Sequence, residues 1–321
     1  MSINTGEIYR KIKNNVQSVI VGKDETVDLL ICALMCGGHV LIEDVPGTGK
    51  TTLVKSLAAS VDCEYNRIQF TPDLLPSDIT GINFFNMKKS EFEFMPGPVF
   101  TNILLADEIN RATPKTQSGL LECMEERQTT VDGKTYKMKY PFMTVATQNP
   151  IESMGVFPLP EAQLDRFMFK IPMSYPDTDG SVEILKRFSR NTDINISPVA
   201  TAGDITDCRK QIEDIFVHED VMRYAVRLCE ATRSLDGVEL GVSPRGTLVL
   251  MYAAKGLAAI SGRDHVLPDD IKRAAMPVMA HRLIMNDSAR IKPGAAEAAV
   301  NAVLESVSVP TEDAAYYSAK I

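Results

Sequence analysis

A short apolar run, Val40-Leu41-Ile42-Glu43, passes through the small-residue turn Pro46-Gly47-Thr48-Gly49 into Lys50-Thr51-Thr52-Leu53, and this succession constrains the fold more than any other feature. A buried parallel strand feeding a glycine-rich turn and a helix N-terminus makes a cradle of backbone N–H groups suited to phosphate. Pro46, Gly47, Thr48, Gly49, Lys50, Thr51 and Thr52 are therefore candidate nucleotide-binding residues. Lys50 suits a mobile cation on the β- and γ-phosphates, and Thr51 suits a hydroxyl ligand for Mg²⁺. Asp44 stands where the usual G-x-x-x-x-G-K-[ST] pattern has glycine. Aspartate tolerates positive φ, so the turn remains feasible if its carboxylate points away from the phosphates.

The flanking sequence supports the same class. Apolar runs at residues 39–43, 101–106 and 142–147 alternate with amphipathic stretches. Over residues 1–180 they predict an α/β fold, a P-loop NTPase αβα sandwich with a parallel sheet. Beyond Tyr175-Pro176-Asp177 the periodicity becomes helical, with helices expected at 181–190, 207–216, 219–235, 244–260 and 268–283. Residues 181–321 are thus expected to form a small helical lid domain. Ser243-Pro244 gives one of these helices a capping hydroxyl and a proline at its first position. Residues 82–94 and 129–138 read as hairpin insertions, and 310–321 as a loose polar tail.

Charge and cysteine usage narrow the function. Forty-two acidic against 34 basic residues give a net charge of −8, which opposes a broad nucleic-acid footprint. The polar N-terminus and the lack of a bilayer-length apolar run point to the cytoplasm and away from a membrane span. Six scattered cysteines suggest neither a disulfide framework nor a zinc site. Cys32 and Cys36, four apart on an apolar helix, are expected to pack.

The run ending at Asp107-Glu108 supplies the carboxylates that such chemistry needs. Asp107 suits the outer coordination of Mg²⁺, and Glu108 suits polarising a water for attack on the γ-phosphate. Gln148-Asn149, after residues 142–147, offers amides at a further strand end, although Asn149-Pro150 also reads as a simple turn terminator.

The stretch Asp107-Glu108-Ile109-Asn110-Arg111-Ala112, with Pro114-Lys115-Thr116-Gln117 and Leu121-Glu122-Cys123-Met124-Glu125-Glu126-Arg127-Gln128, resembles the MoxR family of AAA+ ATPases. Ala146-Thr147-Gln148-Asn149-Pro150, Leu159-Pro160-Glu161-Ala162-Gln163-Leu164-Asp165-Arg166-Phe167 and Val242-Ser243-Pro244-Arg245 continue the likeness in family order across most of the chain. The resemblance implies hydrolysis of ATP with Mg²⁺. It makes Asn149 the first sensor and Arg166 an arginine finger for a neighbouring subunit, with Arg111 and Arg127 as alternatives. Arg245 becomes a second sensor carried on the lid, and Val21 and Gly22, just before the first expected helix, lie beside adenine. It further implies a hexameric ring, a separate von Willebrand factor A-domain partner and a client protein. The task is chaperone-like remodelling or metal-cofactor insertion. A metal-chelatase motor subunit, a DNA-remodelling ATPase and a nucleotide-switched scaffold with little hydrolysis are the rival readings. The hairpin aromatics Phe84, Phe85, Phe92 and Phe94 either grip a partner or pack on one another.

Overall fold

A computed structural model of the protein describes residues 4–45, 47–149, 155–189, 196–311 and 317, the side chains of Asp44 and Phe188 excepted. Pro46, the direction of the Asp44 carboxylate, Pro150, Arg190 and most of the 310–321 tail therefore lie outside the described residues.

The chain opens with α1 (Thr5–Gln17) and α2 (Asp24–Cys36), then β1 (Val40–Asp44) and α3 (Lys50–Ser60). After β2 (Tyr65–Gln69) come α4 (Pro76–Thr80) and a hairpin of β3 (Gly81–Asn86) and β4 (Glu91–Pro96). Next are β5 (Ile103–Asp107), α5 (Pro114–Glu126), a second hairpin of β6 (Gln128–Val131) and β7 (Lys134–Lys137), and β8 (Met143–Gln148). The short α6 (Glu161–Leu164) precedes β9 (Phe169–Met173). Then follow α7 (Thr178–Phe188), α8 (Ala202–Glu213), α9 (Glu219–Ala231), β10 (Val238–Leu240) and α10 (Pro244–Ile260). The last elements are α11 (Pro268–Met279), β11 (Ile284–Met285), α12 (Asp287–Arg290) and α13 (Ala295–Ser306).

Five strands form one parallel sheet in the order β2-β5-β8-β1-β9. Their side chains alternate between two cores, as a period of two requires. Val40, Ile42, Ile103, Leu105, Met143 and Val145 face one core with α2 and α3, whereas Leu41, Leu104, Ala106 and Ala146 face another with α5. This is the expected αβα sandwich followed by a helical region. The first core runs on into the later helices, so Leu34, Val40 and Ala258 belong to one apolar cluster. Where α2 crosses α10, a Cβ on Gly256 would meet the sulfurs of Cys36 and Cys32 at 2.5 and 2.6 Å. The two thiols are packing groups, and no cluster of three metal-ligating side chains exists among the described residues.

Several expectations need correction. A helix, α1, precedes Val21 and Gly22; its sequence hides it because its only fully buried large apolar residues are Ile12 and Val16, with Ile8 and Tyr9 partly buried against the same core. The stretch expected as 207–216 begins earlier, at Ala202, because Thr201 caps it by accepting from the Asp204 N–H. The stretches expected at 219–235 and 268–283 close in 3₁₀ turns, at Thr232–Ser234 and Ala280–Arg282. In the expected tail, Tyr317 is buried with its ring 6.0 Å from that of His218. The two hairpins meet: Phe94 stacks on Tyr136 with centroids 3.9 Å apart. No helix among the described residues is long and apolar enough to cross a membrane.

Candidate active site

Because every strand of the sheet is parallel, the strand ends at Asp44, Gln69, Asp107 and Gln148 share one edge, and functional loops collect there. From β1 the chain turns through Gly47 (φ 87°) and Gly49 (φ 89°) into the N-terminus of α3. Positive φ at both positions selects glycine. Lys50, the first residue of α3, brings Nζ to 3.3 Å from Asp107 Oδ1. Val21 joins Gly47, Thr48, Gly49 and Thr52 in lining a cleft of about 170 Å³, whose apolar end is completed by Ile20, Pro176 and Ile184. Gly22 follows at φ 65°.

Asp107 is buried yet surrounded by cations and donors. The Thr147 hydroxyl donates to Oδ1 at 2.6 Å, and Arg67 from β2 donates to Oδ2 at 2.7 Å. Burial alone would raise the carboxyl pKa; Thr147, Arg67 and Lys50 outweigh it and hold the group below the ordinary aspartate range. Glu108 adopts a left-handed conformation, φ 56° and ψ 48°, which is costly for a non-glycine residue and turns it out of the strand line. Its backbone N–H donates to the Thr147 hydroxyl at 2.9 Å. Its carboxylate accepts from Gln69 Nε2 at 2.6 Å and pairs with Arg111 Nε at 3.1 Å. Arg67 also donates to Gln69 Oε1 at 2.8 Å, so the two acids are linked through the end of β2. Asn149 lies one residue past β8, where its carbonyl accepts from Asn110 Nδ2 at 3.5 Å.

This edge thus unites Lys50, Thr51, Asp107, Glu108 and Asn149. An ionised, buried carboxylate facing the start of α3, where Thr51 lies, together with a glycine-shaped loop and a lysine, fits a magnesium–triphosphate group. Sequence reasoning missed Thr147, Arg67 and Gln69. Thr147 ended a recognised strand, but the edge strand β2 reads YNRIQ and carries no apolar run.

Arg166 and Arg245 are elsewhere. Arg166 precedes β9, and Arg245 is the second residue of α10; both face the opposite, N-terminal edge of the sheet. There they share a cleft with His39, Glu125, Arg127, Asp165 and Arg282. Arg166 Nε lies 3.0 Å from Glu125, and Arg245 Nη1 lies 3.1 Å from the same carboxylate. A five-residue strand spans roughly 15 Å at about 3.3 Å per residue, so neither arginine reaches its own phosphate loop. The sequence leaves open whether Arg245 serves its own nucleotide or a neighbour's; in this protomer it lies at the edge away from its own phosphate loop. Of the alternative fingers, Arg111 flanks Glu108, whereas Arg127 donates to the Gly37 carbonyl at 2.9 Å on the far edge. His39 joins α5 to that edge, with Nε2 3.0 Å from the Met124 carbonyl and Nδ1 accepting from the Thr144 N–H at 2.9 Å. Burial pushes its pKa down to about 4.

Comparison with known proteins adds to this geometry. A family profile described as "ATPase family associated with various cellular activities (AAA)" matches residues 39–169, and an AAA lid domain profile matches 230–303. The uncharacterised protein YeaC of Bacillus subtilis is 44% identical over 306 residues, 95% of this chain and 96% of that protein. Chaperone MoxR1 of Mycobacterium tuberculosis is 41% identical over 93% of this chain and 81% of its own length. The magnesium-chelatase 38 kDa subunit of Rhodobacter capsulatus is 26% identical over 83% of this chain and 87% of its own. A crystal structure of a presumed ATPase from Cytophaga hutchinsonii superposes with a TM-score of 0.90 at 38% identity, covering 97% of both chains.

Proposed function

The chain belongs to the MoxR family of AAA+ ATPases and is itself an ATPase; from that premise we propose that it works as a ring, hexameric by resemblance, in which each nucleotide is completed by a neighbour. Lys50 and the 47–51 amides hold the triphosphate, with Val21, Gly22 and the apolar cleft against adenine. Thr51 and Asp107 would hold Mg²⁺, which when bound would neutralise charge on the phosphates. Glu108 orients the attacking water, Asn149 contacts the γ-phosphate, and Arg166 and Arg245 arrive from the adjoining protomer. In this reading residues 1–180 form the motor core and 181–321 the lid.

The observation that supports the ring is the separation of the two cations from their own Lys50 by the length of the sheet. A head-to-tail interface, which pairs unlike edges, would close that gap and generate a ring. The biological task in this proposal is cytoplasmic, chaperone-like remodelling or cofactor insertion on a client protein. It acts with a separate von Willebrand factor A-domain partner. Likeness to a chelatase subunit supports a shared motor whose partner differs.

The test is turnover per protomer against protein concentration at saturating MgATP. The rate should rise with concentration in step with assembly, and Arg166→Ala should assemble yet stay slow. A per-protomer rate that is independent of concentration down to the monomer would overturn the proposal.

A further inference from the structure

Glu125, near the end of α5, divides one carboxylate between two arginines. Oε2 lies 3.0 Å from Arg166 Nε, and Oε1 lies 3.1 Å from Arg245 Nη1. The backbone just before it is fixed, because the Met124 carbonyl is bonded by the buried His39 ring. Asp165 adds a 3.6 Å contact to Arg245 Nε and is itself held at 2.6 Å by the buried Arg282. Arg166 meets the carboxylate through its inner nitrogen, Nε. Half-exposed pairs of this kind add little to stability, so the chief effect of the shared carboxylate is on where the two cations point.

We infer that Glu125 is a positioning residue for hydrolysis at the neighbouring protomer's nucleotide, bracketing Arg166 and Arg245 so that they reach the γ-phosphate together. The inference rests on the ring reading above. Glu125 touches no substrate; it acts through the two guanidinium groups, holding Arg166 at Nε and Arg245 at Nη1. Glu125 and Asp165 together meet Arg166, Arg245 and Arg282, two acids against three cations, so the cluster keeps net positive charge for an anion.

The test uses full-length protein. Glu125→Ala should lower kcat by about 10–100-fold, the scale on which a misplaced catalytic group costs rate, with the nucleotide KM nearly unchanged. Glu125→Asp should restore part of the loss, and Glu125→Ala should cost less in the Arg166→Ala background than in the wild type, because only Arg245 is then left for it to position. Mixing supplies the decisive arm. Lys50→Ala protomers keep their bracket but lack a working loop, so with Glu125→Ala protomers in equal amounts turnover should recover to about a quarter of the wild-type rate, the share of interfaces joining a good loop to a good bracket. Arg166→Ala mixed with Lys50→Ala is the control for the ring itself. Recovery in the control without recovery for Glu125→Ala overturns the role of Glu125 and leaves the ring standing. Failure of both mixtures overturns the ring, and the bracket with it. Should Glu125→Ala not fold, Glu125→Gln keeps the shape but is uncharged and sets an N–H₂ donor against one of the two guanidinium groups, and it carries the same tests; a wild-type rate in that variant overturns the bracket.

Discussion

The two edges of the sheet are built on opposite principles. At the C-terminal edge, acids are satisfied by their own protomer: Asp107 by Thr147, Arg67 and Lys50, and Glu108 by Gln69 and Arg111. At the N-terminal edge, Glu125 and Asp165 face Arg166, Arg245, Arg282 and Arg127, so cations outnumber acids. In the proposed reading one edge receives a charged ligand and its metal, and the other donates positive charge. A chain with a net charge of −8 that concentrates guanidinium groups on one edge is suited to meeting an anion presented from outside.

Substitutions can sharpen or break this contrast. Glu108→Gln should cost about 10²–10⁴-fold in turnover while nucleotide binding, measured by calorimetry, persists, since a water-orienting base is lost but the loop is not. Arg166→Ala should cost about 10³-fold in the assembled protein and leave monomer nucleotide affinity unchanged. A parallel loss of monomer affinity would place Arg166 at its own nucleotide and erase the distinction between the edges. Thr147→Val removes the hydroxyl that bridges Asp107 and the Glu108 amide, and should destabilise the fold by about 1–3 kcal/mol in chemical denaturation.

Acid should separate the edges further. The depressed pKa of His39, about 4 against an ordinary 6.5, means that its unfolded state binds the proton first. Its contribution is complete above pH 6.5 and is lost as pH falls toward 4, about 3 kcal/mol in all at 1.36 kcal/mol per unit. Buried His281, also depressed, adds in the same direction. Asp107 keeps its contribution above its unfolded pKa and loses it only at more acid pH. The N-terminal edge should thus weaken first, and His39→Gln should flatten the stability slope between pH 6.5 and 4. The smallest effect belongs to Phe92→Ser on the hairpin tip, where Phe92 is 73% exposed. Stability and basal turnover should hardly change there, within about 0.5 kcal/mol for the former.

What the sequence revealed follows the same division. The phosphate loop and Asp107-Glu108 are contiguous, so strand, turn and helix signals in one window were enough to read the first edge. Arg67 and Gln69 escaped because their edge strand is half solvated, and α1 because its buried stripe is short. The second edge depends on elements distant in sequence: Glu125 and Arg245 are 120 residues apart. Motif likeness named Arg166 and Arg245, but only the sheet order and the docking of α10 show which way they face. Buried Arg282 gave no sequence signal, since its burial depends on Asp165 and on the Phe167 carbonyl.

The most direct measurement is the structure of the Glu108→Gln protein assembled with MgATP, read for the arginine nitrogens within hydrogen-bond distance of the γ-phosphate. Arg166 and Arg245 of the adjoining protomer are expected there, with Glu125 still between them. A γ-phosphate contacted by Arg245 of its own protomer, after the lid has swung across the sheet, would contradict the division of labour between the two edges.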